Sequence, residues 1–155
     1  MAKIFVTRNI PGSALSKLKE GNEVIVSNFD RVLTSQEIID NAKDADGILS
    51  LLHDKITAEL LDQLPTIKVV SNYAVGFDNV DVKAATERGI VVTNTPSDEV
   101  NEAVAEFSWA LMLALSRRLV EGDEFARKGA YKGWEPDTFL GRDIYGKTLG
   151  VVGLG

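Results

Sequence analysis

The sequence contains no cysteine and a single histidine, His53. A Cys/His zinc site and a disulfide framework are therefore excluded from these residues. Basic residues are outnumbered: 17 Lys and Arg stand against 23 Asp and Glu, for a net charge of −6. Nothing supplies the phosphate-neutralising face that nucleic acid requires, so no nucleic-acid partner is expected. The same balance means that an anionic substrate is not steered in by overall charge and needs local donors. No apolar run reaches the length of a membrane span, and no membrane partner is expected. The opening Met1-Ala2-Lys3-Ile4-Phe5-Val6 is too short and too soon polar for a signal peptide. A cytoplasmic location fits the lack of cysteine. What remains is a globular composition, 45% apolar and 26% charged over 155 residues, enough for a real core.

Strand-like and helix-like runs alternate. Ile4-Phe5-Val6, Val24-Ile25-Val26, Gly47 to Leu52, Ile67 to Val70 and Ile90-Val91-Val92 read as strands. Between them, Pro11 to Glu20 reads as a helix stopped by Gly21. Thr34-Ser35-Gln36-Glu37 is a capping box ahead of Ile38, Ile39 and Ala42. Thr57 caps a helix carrying Leu60, Leu61 and Leu64, and Asp81 to Arg88 is a short helix stopped by Gly89. Strands apolar on both faces, each followed by a helix, predict an α/β domain. Its parallel sheet would be five-stranded, doubly wound and of flavodoxin-like order. Ligands in such folds sit outside the carboxyl ends of the strands. A boundary is placed near residue 100, giving a first domain over 1–100 and a second region over 101–155. Asn101 to about Val120 reads as one long helix, apolar over much of its girth. Residues 129–146 are irregular and rich in glycine. The last residues, Leu149-Gly150-Val151-Val152-Gly153-Leu154-Gly155, read as a strand entering a Gly-x-Gly-x-x-Gly dinucleotide-binding turn. The sequence would then stop inside the motif, before the third glycine, the pyrophosphate-binding helix and the acidic residue for the ribose.

The loop Asn72-Tyr73-Ala74-Val75-Gly76-Phe77-Asp78-Asn79 falls at the ligand-binding edge. Small Ala74 and flexible Gly76 would let backbone N–H groups converge on an anion such as a carboxylate. The alternative is an ordinary strand-to-helix turn capped by Asp78 or Asn79. His53, at the same edge, is either a proton donor or a loop histidine without a partner. Arg8 reads as a surface ion pair rather than a carboxylate clamp. Glu102 and Glu106 read as charges favoured by a helix N-terminus rather than paired acids. Tyr131, Trp134 and Phe139 read as packing residues beneath the irregular segment.

Taken in order, Asn72 to Asp81, Gly89 to Pro96, Ala103-Val104-Ala105-Glu106-Phe107, Arg117-Arg118 and Gly146 to Gly155 resemble the D-isomer-specific 2-hydroxyacid dehydrogenases, glyoxylate/hydroxypyruvate reductases in particular. The resemblance covers essentially the whole sequence. It implies a flavodoxin-like substrate domain, then the long helix and the first strand of a truncated Rossmann-type domain that binds NAD or NADP. It implies that the amides of Val75 and Gly76 bind the substrate carboxylate and that Leu52 and His53 line the cleft. It places Asn101, Val104, Gly153 and Gly155 on the cofactor side. The family's catalytic Arg, Glu and His would lie downstream of residue 155, so these residues alone are expected to be inactive. His53 does not match the catalytic histidine, because the family usually has a small polar residue there. The implied reaction is reduction of small 2-oxo acids to 2-hydroxy acids by a homo-oligomer, a dimer. An apolar strand and helix cut off from their partners are expected either to exchange residues 121–155 between protomers or to stay mobile and drive aggregation. The readings set against this are a non-catalytic flavodoxin-like module and an isolated folding fragment. A receiver would need an acidic pair after the first strand, where Thr7-Arg8-Asn9 stands instead.

Overall fold

The computed structural model describes residues 1–153. It divides into two compact units, Met1–Ser97 and the residues from Asp98 onward. The first unit is built from β1 (Lys3–Val6), α1 (Ala14–Lys19), β2 (Glu23–Val26), α2 (Ser35–Ala42), β3 (Gly47–Leu51), α3 (Ala58–Asp62), β4 (Val69–Tyr73), α4 (Val82–Glu87) and β5 (Val91–Thr93). All neighbouring strands pair in parallel, in the order β2-β1-β3-β4-β5. That is the flavodoxin-like order expected from the strand–helix alternation.

The register explains the core. Phe5 on β1 pairs with Ile48 on β3, and Ile48 pairs with Val70 on β4. All three are almost completely buried. Ile38 and Ala42 of α2 and Leu60 and Leu61 of α3 join them in a contiguous apolar cluster. Gly47 pairs with Val69 across the β3–β4 ladder, and a Cβ there would stand 2.8 Å from Cγ1 of Val69. Thr34 and Glu37 form the expected reciprocal capping box on α2. Thr57 caps α3 by accepting from the Leu60 N–H, as its spacing predicts.

Local expectations are corrected at the end of β4 and at the start of α4. β4 runs two or three residues further than the apolar pattern Ile67–Val70 indicates, because Asn72 and Tyr73 pair with Ser50 and Leu51 of β3. Neither Asp78 nor Asn79 caps α4. Asp81 does so, its carboxylate accepting from the Ala84 N–H at 2.9 Å. Asn79 is instead turned into the interior, where it is 6% exposed.

The second unit contains α5 (Asp98–Ser116) and α6 (Leu119–Arg127). The expected single helix to about Val120 is broken at Arg118, which adopts a left-handed conformation with φ 53. The last turn of α5 tightens there, with the Arg118 N–H donating to the Leu115 carbonyl. The guanidinium of Arg118 pairs with Glu121 and lies 5.2 Å from the centre of the Phe139 ring. Phe139 in turn packs edge-on against Phe125 at 5.0 Å. Tyr131 and Trp134 do not pack as expected and are 65% and 82% exposed. Gly141 rests on the end of α5, where a Cβ would come within 2.5 Å of the Ser116 carbonyl oxygen. The expected strand at Leu149–Val152 does not form. These residues are irregular and exposed, and no strand is described in the second unit. No helix among the described residues is long and apolar enough to cross a membrane.

Candidate active site

At the carboxyl end of the sheet the chain turns polar in a confined space. Ser50 and Asn72, partners across the β3–β4 ladder, are both fully buried, and Asn79 lies beside them. The amides of Asn72 and Asn79 bond each other reciprocally at 3.0 and 3.1 Å. Asn79 Nδ2 also donates to the carbonyls of Leu51 and Asp54, and the Ser50 hydroxyl donates to Asn72 Oδ1. Asp54, 3% exposed, accepts from the Thr7 hydroxyl and from the Leu51 N–H. The network therefore ties the ends of β1, β3 and β4 together. Among the described residues no buried side-chain polar atom is left without a partner. A fully satisfied buried network of this kind holds its loops rigidly.

The loop that leaves β4 is held through its carbonyl groups. The Ala74 carbonyl accepts from the Thr95 N–H at 2.9 Å, and the Val75 carbonyl from Asn94 Nδ2 at 2.7 Å. The Gly76 carbonyl accepts from Asn72 Nδ2 at 2.9 Å, and the Phe77 carbonyl from the Val80 N–H at 2.9 Å. Four successive carbonyls are thus engaged, whereas the N–H groups of Val75 and Gly76 donate to no described residue. Two adjacent free amides at a strand's carboxyl end form a local donor pair for an anion. Gly76 has no φ in the left-handed region, and a Cβ there would make only an ordinary contact, 3.6 Å from Asp78 Oδ2. Neither a left-handed φ nor internal packing demands glycine here, and its lack of a Cβ leaves the adjacent N–H open to close approach.

Leu52 and His53 occupy the turn after β3, at the same edge of the same unit, and both are exposed. The His53 imidazole makes no hydrogen bond among the described residues. Arg8, also at this edge, is engaged by Asp30, in keeping with its reading as a surface ion pair. In the second unit, Asn101 and Val104 are exposed along α5, as are Glu102 and Glu106. Gly153 adopts φ 78, with nothing within 4 Å of where a Cβ would stand. Gly155 lies outside the described residues. The spacing of Gly153 and Gly155 in the sequence fits the opening of a dinucleotide-binding motif, and the residues before Gly153 form no strand. Among the described residues no cluster of acidic or histidine side chains is suited to a metal.

Residues 4–138 match the family of the D-isomer specific 2-hydroxyacid dehydrogenase catalytic domain. Glyoxylate reductase from Thermococcus kodakarensis is 45% identical over 157 residues, covering 99% of this chain and 47% of that protein. Glyoxylate reductase from Korarchaeum cryptofilum is 46% identical over 154 residues, covering 99% of this chain and 46% of that protein. Among solved structures, the TT0316 protein from Thermus thermophilus superposes with a TM-score of 0.82 at 42% identity, over 92% of this chain and 45% of that one. Apo D-lactate dehydrogenase from Escherichia coli gives 0.71 at 29% identity, over 99% of this chain and 48% of that one. The first unit is a five-stranded parallel α/β sheet with two undonated backbone amides in the loop at its carboxyl edge. The chain belongs to the D-isomer specific 2-hydroxyacid dehydrogenase family. It spans about half the length of the curated relatives it matches.

Proposed function

We propose that this chain is the substrate-side part of an NAD(P)-dependent oxidoreductase that reduces small 2-oxo acids, glyoxylate and hydroxypyruvate among them, to 2-hydroxy acids. The observation that carries this reading is the pair of undonated amides at Val75 and Gly76, held in place by the engaged carbonyls around them. These two N–H groups bind the substrate carboxylate and so fix the 2-oxo carbon relative to the sheet edge. Leu52 gives the cleft an apolar wall, and His53 lines it without acting as the family's catalytic histidine. Asn101, Val104 and Gly153, with Gly155, belong to the cofactor side. When bound, a nicotinamide of NAD or NADP supplies the hydride. The carboxylate-clamping Arg, the proton-donating His and the Glu that orients it are contributed from outside these 155 residues. Residues 1–100 act as the substrate-binding domain, and 101–155 as the linking helix and the start of the cofactor domain. The working enzyme is a cytoplasmic homo-oligomer, a dimer. The exposed apolar residues of α5, together with Gly129 and Gly133 as hinges, make exchange of residues 121–155 between protomers a route to association in the chain taken alone.

Steady-state assay of a chain extended to the length of its relatives tests the reading. It should reduce glyoxylate or hydroxypyruvate with NADH or NADPH, while the 155-residue chain should give no turnover above background. In the extended enzyme Gly76→Pro removes one amide donor and should raise KM for the 2-oxo acid at least ~10-fold. An unchanged KM in that variant would show that the loop does not hold the carboxylate.

A further inference from the structure

We propose that Asn94 is a positioning residue for the carboxylate loop: its side-chain amide sets the direction in which the Gly76 N–H faces. The inference rests on the assignment of Val75 and Gly76 as the carboxylate donors. A trans peptide is planar, with its carbonyl and its N–H on opposite sides of the chain. The described residues contain no cis peptide bond. Asn94 Nδ2 holds the Val75 carbonyl at 2.7 Å, so the Gly76 N–H in that same peptide plane is turned away from Asn94. The Thr95 N–H holds the Ala74 carbonyl at 2.9 Å and turns the Val75 N–H away in the same manner. Two consecutive residues just past β5 therefore grip two consecutive peptides, and both freed amides leave on the side opposite the grip.

The two grips differ in what they ask of the sequence. Thr95 acts through its backbone, which any residue but proline can supply. Asn94 acts through its side chain, so the second grip is encoded by that residue alone. It secures the peptide that most needs it, since Gly76 has no Cβ to resist rotation. The side chain must also donate without carrying charge. A lysine or arginine would compete for the anion, and an aspartate would accept rather than donate and leave the Val75 carbonyl without a partner. Asn94 is half-buried, which shelters the bond from water. Asn72 grips the next carbonyl, that of Gly76, but it also belongs to the buried network with Ser50 and Asn79. The Asn94 side chain serves the loop without belonging to that network.

Two-dimensional ¹⁵N–¹H NMR of the 155-residue chain titrated with oxamate, an unreactive 2-oxo acid analogue, tests the proposal. In the unaltered chain the Val75 and Gly76 amide resonances should shift saturably. The Asn94 side-chain resonances should shift with the same dissociation constant. In Asn94→Leu, binding should weaken at least ~5-fold, with the Gly76 shift reduced more than that of Val75. Resonances of the five strands should stay in place, and the shorter donor in Asn94→Ser should restore part of the affinity. Asn94→Leu binding as tightly as the unaltered chain would overturn the proposal while leaving the carboxylate assignment standing. Loss of binding accompanied by shifts throughout the sheet would overturn it in favour of a purely structural role. Asn94 side-chain resonances that stay fixed through saturation would overturn it without any variant. No shift at Val75 or Gly76, both in this chain and in one extended to supply the clamping Arg, would remove the carboxylate assignment itself, and this proposal with it.

Discussion

The two units hold similar apolar residues and use them in opposite ways. In Met1–Ser97 the strands, α2 and α3 bring isoleucine, leucine and valine together until Phe5, Ile56, Leu64 and Val70 have no measurable exposure. In α5 no residue is buried, and Phe107, Trp109 and Leu115 are 63%, 51% and 79% exposed. Helix length does not account for the contrast, because α5 has 19 residues and α3 only 5. What differs is whether the chain also supplies a covering surface. A short helix on a parallel sheet is closed over by strands that the first unit itself provides. An apolar helix without such a surface keeps its side chains in water at roughly 25 cal/mol per Å². The functional elements follow the same division. The buried polar network and the two undonated amides of the candidate carboxylate loop all lie within the first unit.

The sharpest way to break this comparison is to delete the same side chain in each unit. Leu64→Ala opens the closed core and should cost about 2–5 kcal/mol. Leu115→Ala should fall within about 0.5 kcal/mol of the unaltered chain. Urea unfolding monitored by far-ultraviolet circular dichroism measures both. Equal losses would mean that α5 is covered after all. A smaller effect is expected at the polar end of the core. Asn79→Ala strips partners from the carbonyls of Leu51 and Asp54 and from Asn72, and should cost about 2–3 kcal/mol. Measured in the same way, a loss under about 0.5 kcal/mol would show that the network does not brace the site.

The smallest effect concerns pH. The Arg31 guanidinium, with the Thr34 backbone N–H and hydroxyl, holds the Glu37 carboxyl at about 2, against its ordinary 4.5. A carboxyl depressed on folding stabilises the folded state above its ordinary value and loses that contribution as pH falls toward the folded one. Between pH 4.5 and about 2, stability should therefore fall less steeply in Glu37→Gln than in the unaltered chain. The difference should shrink in high salt, since the pair is exposed. Identical slopes would contradict the pairing.

The sheet is legible in the sequence because each strand is an apolar run that the next helix signal closes off, and the Thr34 capping box can be read directly from its spacing. The end of α5 is not legible. Its stop is a left-handed arginine held by Glu121 and Phe139, with no glycine or proline to announce it. The candidate carboxylate loop is picked out in the sequence by its small residues and its place after a strand. Its support is not, because Asn72, Asn79 and Asp54 look like loop residues until the register buries them. The available signal is Ser50 standing polar in an otherwise apolar strand, opposite Asn72 in the next. Leu149–Val152 carries a strand pattern without a partner strand in its own unit, and forms no strand.

The account depends most on what the loop after β4 binds. A crystal structure of the 155-residue chain with oxamate measures it directly. The expected result is a carboxylate oxygen about 2.7–3.2 Å from the backbone nitrogens of both Val75 and Gly76, with the Val75 carbonyl still bonded to Asn94. Oxamate seated elsewhere on the first unit, with those two nitrogens facing water, would contradict it.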